Sequence, residues 1–267
     1  MHTYISKKQE GFTLVELAIT LTIIGLLIAG VLKGQELLAE TRVKISITQI
    51  RAFQAAHITF KDVYSGAIPG DMKNATSRIT NCVTSLNACR NGDGNGIIGT
   101  GIHWGNSVNR SLTAENTQYW KHMALANLIT GIDTGVKVTL ADPFGKTLPA
   151  SKVNGGFWAR SAEDYLTPAQ KRVYAHMSGN LILWRADPNA TGSQLTGTTV
   201  SPMVAWRIDQ KMDDGYAWNG AVEALSGESW SGGKTNGCNR SIIVATKPTG
   251  YDKKKTDLAC DMAFKLD

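Results

Sequence analysis

Residues 11–32 read Gly11-FTLVELAITLTIIGLLIAGV-Leu32, an apolar run interrupted by a single acid, Glu16. A membrane-crossing helix needs about 20 such residues at 1.5 Å rise each. The run therefore has the length and composition of a span. A carboxylate within such a segment costs about 2.5–3.5 kcal/mol on insertion scales and is kept there for a function. The sequence thus demands a partner for Glu16.

The flanks give the span a direction. Residues 1–10, MHTYISKKQE, are polar, with Lys7 and Lys8 next to the apolar run. Positive charge on that side keeps the N-terminus cytoplasmic and sends the rest of the chain across the membrane. A secretory signal would have a shorter apolar core followed by a small-residue cleavage site. Here the core is longer, and the natural break lies before it, at Gly11 and Phe12.

Together, Lys7 to Leu27, KKQEGFTLVELAITLTIIGLL, resembles the N-terminal signal of type IV prepilins and of the pseudopilins of type II secretion. The resemblance covers about 25 residues. It implies that Gly11 ends a leader of residues 1–11 removed by the prepilin peptidase. Phe12 would then become the mature, N-methylated end, and Glu16 the acid that meets the Phe12 amine of a neighbouring subunit. Each buried charge would relieve the other. The expected partners are other pilin-like subunits, the peptidase and the bacterial inner membrane, with the head periplasmic until the subunit enters a pilus or periplasmic filament. In place of the proline many major pilins carry, this chain has Lys33 between Gly30 and Gly34, which favours a minor pilin or pseudopilin.

Beyond Leu32 the pattern becomes one-sided. At 100° per residue Leu38, Ile45, Ala52, Ala56, Phe60 and Val63 share a face opposite Glu40, Lys44, Arg51 and Asp62, so the helix is expected to run to about Tyr64 and to dock that stripe on a head. Ser65, Gly66, Pro69 and Gly70 break it. The domains expected are residues 12–64 as a long helix, with 12–32 as membrane or filament core, and residues 65–267 as an exported globular head. The fold class is α+β: a long N-terminal helix on a small antiparallel β-sheet, as the resemblance also implies.

Within the head, a helix is expected over residues 114–129, strands near 156–159, 173–177, 181–185 and 221–225, and helices starting at Pro168 and Pro202, the second ending at Asp214 before Gly215. All four cysteines, Cys82, Cys89, Cys238 and Cys260, follow the span. An even count on the exported side reads as disulfides. Of three pairings, the locally closed ones, Cys82 with Cys89 and Cys238 with Cys260, are expected. Neither pair has the C-x2-C spacing of a zinc site.

Two acidic stretches suggest calcium as the only cofactor. Asn91, Asp93 and Asn95, with Gly96 in sixth place, resemble the start of a calcium loop, but Ile102 stands where the twelfth-position acid belongs. Asp71 or Glu115 would have to complete it, and a plain turn is the stronger reading. Asp209, Asp213 and Asp214 form the second cluster, for which a solvated helix end is again favoured.

The formal charge of +6 on 267 residues describes a solvated basic surface, Lys253 to Lys255 included, and nucleic acid is not an expected partner. No G-x-S-x-G, H-E-x-x-H or Walker loop occurs, and the five histidines are scattered. Function is therefore expected from assembly rather than catalysis. The alternative of another class is a membrane-anchored periplasmic binding or enzymatic domain.

Overall fold

The computed structural model describes residues 13–99, 115–136, 142–161, 177–186, 199–226, 238 and 250–266. The chain divides into two compact units, residues 1–42 and 43–267. Helix α1 (Leu14–Val63) supplies the described part of the first and the opening element of the second.

In the first unit the apolar side chains from Leu14 to Leu38 are all exposed. Among the described residues one helix, α1, is long and apolar enough to cross a membrane, and none of its most apolar window is buried. Its threonines hide their polarity in the backbone. Thr20 Oγ1 donates to the carbonyls of Glu16 and Leu17 (3.0 and 2.8 Å), and Thr22 Oγ1 to that of Ile19 (2.7 Å). Such i−3 and i−4 back-bonding satisfies a hydroxyl without an outside partner.

In the second unit α1 acquires a buried face: Val43, Ser46, Ile47, Ile50, Phe53, Ala56, His57 and Phe60. Steps of three, four and seven keep these on one side of a 3.6-residue helix. The face expected from sequence is out of phase with it. Ala56 and Phe60 are buried, but Leu38, Ile45, Ala52 and Val63 are exposed. The second half of the helix has two apolar stripes. The head takes the one carrying Ile50 and Phe53, with Ala56 and Phe60 shared between the two, and the Phe53 ring buries more area than the exposed Leu38, Ile45 or Val63 would.

Phe53 is the hub of that contact. Its ring meets Trp120 edge-on at 5.0 Å and Phe157 at 5.2 Å, arrangements that add about 0.5–1.5 kcal/mol per pair beyond area burial. Two amides lock the helix sideways. Gln49 donates to the Ala150 carbonyl (2.8 Å) and accepts from the Lys152 N–H (3.0 Å), and Gln54 donates to the Lys265 carbonyl (2.7 Å).

Past the helix, Gly70 turns the chain at φ +85°, where a Cβ would stand 2.3 Å from the Glu115 carbonyl oxygen. Only glycine fits there. Two short helices follow, α2 (Ala75–Arg78) and α3 (Thr84–Asn87), then α4 (Glu115–Leu125) and α5 (Pro202–Met212). Helix α4 ends earlier than expected, with Asn127 at φ 58°, while Leu128 and Ile129 still pack on the core.

The sheet comprises β1 (Gly156–Ser161), β2 (Asn180–Arg185), β3 (Val222–Ser226) and β4 (Cys260–Lys265) in the order β1-β2-β4-β3, antiparallel throughout. Phe157 pairs with Trp184, and Phe264 lies between Ile182 and Val222. The architecture is α+β, a long N-terminal helix followed by a small antiparallel sheet. β4, one of the two central strands, is absent from the sequence expectation. The strand expected at 173–177 and the helix expected from Pro168 fall, apart from Met177, outside the described residues.

Candidate functional site

The N-terminal end of α1 is where chemistry and fold meet. Thr13 precedes the first helical residue, where four backbone N–H groups lack helical acceptors. The Glu16 N–H donates to Thr13 Oγ1 (3.3 Å), and the Thr13 N–H donates to Glu16 Oε2 (2.9 Å). This reciprocal exchange is the capping box of the T-x-x-E pattern. The Thr13 hydroxyl also donates to Oε2 (2.8 Å). One carboxylate oxygen therefore receives two bonds from Thr13, and Oε1 has no donor among the described residues.

Glu16 thus has a partner within its own chain. A negative side chain in the first turn also complements the positive end of the helix dipole. The T-x-x-E spacing of Thr13 and Glu16 encodes this local partner in the sequence. Gly11 and Phe12 lie outside the described residues.

The first acidic cluster is rearranged relative to a calcium loop. Asp71, Asp93 and Glu115 each bring an oxygen within 4.8 Å of the others, with Asp71 and Glu115 almost wholly buried. Asn91 points elsewhere, accepting from the N–H and hydroxyl of Thr76 (2.9 and 3.1 Å). Asn95 Oδ1 is engaged by the Ile97 N–H (2.7 Å).

The two buried carboxylates hold the loop by its amides. Asp71 accepts from Gly94, Asn95 and Gly96 (2.6, 3.0 and 2.8 Å), and Glu115 from Asp93 and Gly99 (2.9 and 3.1 Å). Burial, with added repulsion from Asp71 and Asp93, pushes the Glu115 carboxyl up to about 7. Burial likewise raises Asp71 above the usual carboxylate range.

Asp209, Asp213 and Asp214 form a second group of the same compactness. Asp209 is fully buried, accepting from the Tyr251 hydroxyl (2.7 Å) and the Gly215 N–H (3.2 Å). Burial pushes it up to about 7. Asp213 accepts from the Ala221 and Val222 amides, and Asp214 from the Tyr216 amide and the Asn219 side chain. Amides therefore engage all three carboxylates in shaping the turn between α5 and β3.

The disulfides join Cys82 to Cys89 and Cys238 to Cys260. Buried His122 lies beside the first of them. Its Nδ1 accepts from the Gly70 N–H (2.9 Å), which leaves Nε2 to donate to the Arg90 carbonyl (2.8 Å). Burial pushes this imidazole down to about 4, so it is a neutral tie between α4, the Gly70 turn and the disulfide loop. Lys253 lies with Nζ 3.4 Å from the centroid of the Trp206 ring, a cation–π contact at the base of the lysine run.

Residues 6–32 match the prokaryotic N-terminal methylation motif, which is characteristic of type IV pilin-like and pseudopilin-like prepilins. The apolar helix and this motif are consistent with a membrane-anchored, pilin-like precursor. No curated protein and no solved structure matches the chain.

Proposed function

We propose that the chain is a structural subunit of a type IV pilus or a related filament, of minor-pilin type, processed by prepilin peptidase between Gly11 and Phe12 and N-methylated on Phe12. The methylation motif at residues 6–32 carries this reading. The exposed apolar side chains of α1 support it, since an apolar helix that buries none of them among the described residues calls for lipid or other helices around it. In the precursor the apolar half of α1 lies in the bacterial inner membrane, with residues 1–11 cytoplasmic and the head periplasmic.

On assembly α1 joins the corresponding helices of other subunits. Glu16 then meets the Phe12 amine of a neighbour, an ion pair in which losing either partner strands a buried charge. The head contributes surface rather than turnover, and its two acidic clusters serve as loop anchors.

Intact mass of the mature protein tests the processing step. The expected product lacks residues 1–11 and carries one added methyl group. A full-length chain, or one cut after the apolar run, would overturn the reading. Shearing the cells tests assembly: the protein is expected in the sheared filament fraction, and Glu16→Ala is expected to remove it. A mature protein confined to membrane monomers, indifferent to Glu16→Ala, would instead support an anchored periplasmic domain.

A further inference from the structure

We propose that Thr13 is a positioning residue for Glu16, holding Oε2 through its amide and hydroxyl so that Oε1 is the oxygen that receives the incoming subunit's amine. The proposal rests on the filament reading above and adds a residue to it. Three bonds connect Thr13 and Glu16, from 2.8 to 3.3 Å. A glutamate has three rotatable bonds, and a side chain tied at one oxygen by two donors loses most of that freedom before the partner arrives. Pre-organisation of this kind lowers the entropic cost of binding.

The arrangement also explains why the cut belongs after Gly11. Cleavage there leaves Phe12 ahead of Thr13, so the Thr13 nitrogen stays an amide and the reciprocal bonds survive maturation. A cut one residue later would turn that same nitrogen, 2.9 Å from Oε2, into a charged amine. Glu16 would then be neutralised inside its own chain and hold no attraction for a neighbour. The scissile bond is the last one that separates the new charge from the cap.

The test compares full-length wild type, Thr13→Val, Thr13→Ser and Glu16→Ala in cells that assemble the filament. Intact mass and the amounts in membrane and sheared fractions are measured for each. Valine keeps the shape and loses the hydroxyl, whereas serine retains capping ability. Thr13→Val is expected to be cleaved, methylated and membrane-bound, with the sheared fraction reduced by about fivefold or more, the equivalent of one lost cap. Thr13→Ser is expected within about twofold of wild type, because serine caps as well as threonine. Adding Thr13→Val to Glu16→Ala should cause no further loss, because both act through one carboxylate.

Normal assembly of Thr13→Val would overturn the proposal, as would a serine variant as defective as the valine one. Failure of Thr13→Val to be cleaved would also overturn it, by assigning the hydroxyl to peptidase recognition. If the wild type never enters the sheared fraction, the filament reading fails and this proposal with it. Wild-type filaments alongside fully competent Thr13→Val would sink the positioning role alone.

Discussion

The two halves of α1, the first apolar all round and the second apolar on one side only, meet opposite fates. From Leu14 to Leu38 every apolar side chain is exposed, while from Val43 to Phe60 eight residues are buried. The second half contains polar residues on its buried side, Ser46 and His57, and is still the half that finds a partner in the chain. Apolarity alone therefore does not decide which helix segment packs inside a protein. Partner shape does: Trp120 and Phe157 receive Phe53, and Ala150, Lys152 and Lys265 receive the amides of Gln49 and Gln54. The first half buries none of its large apolar side chains among the described residues.

That contrast can be broken first by core mutation. Phe53→Ala is expected to destabilise the head by about 3–5 kcal/mol, and Leu27→Ala by less than about 0.5 kcal/mol. Denaturant unfolding of the detergent-solubilised protein, followed by tryptophan fluorescence, checks both. Equal effects would end the distinction between the halves. Next in size is the Cys238–Cys260 bond, with a sequence separation of 22 residues. Replacing both cysteines by serine should cost about 2–4 kcal/mol of head stability while leaving the helicity of residues 13–42 in micelles unchanged.

A smaller effect follows from the raised carboxyls. Glu115 and Asp209 stand at about 7 in the folded head, above the ordinary value, so the folded state holds protons that the unfolded chain gives up. Their contribution is full below the ordinary carboxylate pKa and is lost as pH rises through about 7. The thermal midpoint is expected to fall by roughly 2–4 °C between pH 5.5 and 8, and Glu115→Gln should flatten that slope. His122, lowered to about 4, has the opposite sign. Its contribution is full above the ordinary imidazole value and lost as pH falls through about 4. A head whose midpoint rises steadily from pH 5.5 to 8 would contradict these assignments. The smallest expected change is that on adding calcium, below about 1 °C at pH 8, because backbone amides already engage the oxygens of Asp71 and Glu115. A larger shift would turn the loop anchors into ligands.

Much of this was legible in residues. The long apolar helix and the break at Gly66 to Gly70 could be read directly, and β1, β2 and β3 lie where short apolar runs sit between glycines and asparagines. The phase of the second helical half could not be read, because a wheel with two apolar stripes does not say which one the head will cover. β4 does carry a strand's alternation, with Cys260, Met262 and Phe264 on one face and Asp261, Ala263 and Lys265 between them, a signal that was present in the sequence and not used. In the fold Asp261 is buried, with Oδ1 accepting from the Thr199 hydroxyl and Oδ2 3.9 Å from Arg185 Nε, so a charged letter there belongs to a central strand. The first carboxylate cluster joins Asp93 to both Asp71 and Glu115, the two distant acids the sequence offers to complete that loop, although spacing along the chain does not show that backbone amides occupy their oxygens. At the helix start the capping box is wholly local, since Thr13 and Glu16 are three residues apart.

The threonines of α1 alter what kind of surface the helix offers to its surroundings. Each of Thr20, Thr22, Thr41, Thr48 and Thr59 turns its hydroxyl back onto a carbonyl one turn earlier. What remains outward is mostly a methyl group. Hydropathy scales charge threonine for an alcohol that this helix never shows, so they underrate its affinity for hydrocarbon. Because the hydroxyl asks nothing of its neighbours, the same helix can exchange lipid for protein without rearranging its own hydrogen bonds. Such a helix can change solvent while its own structure stays the same.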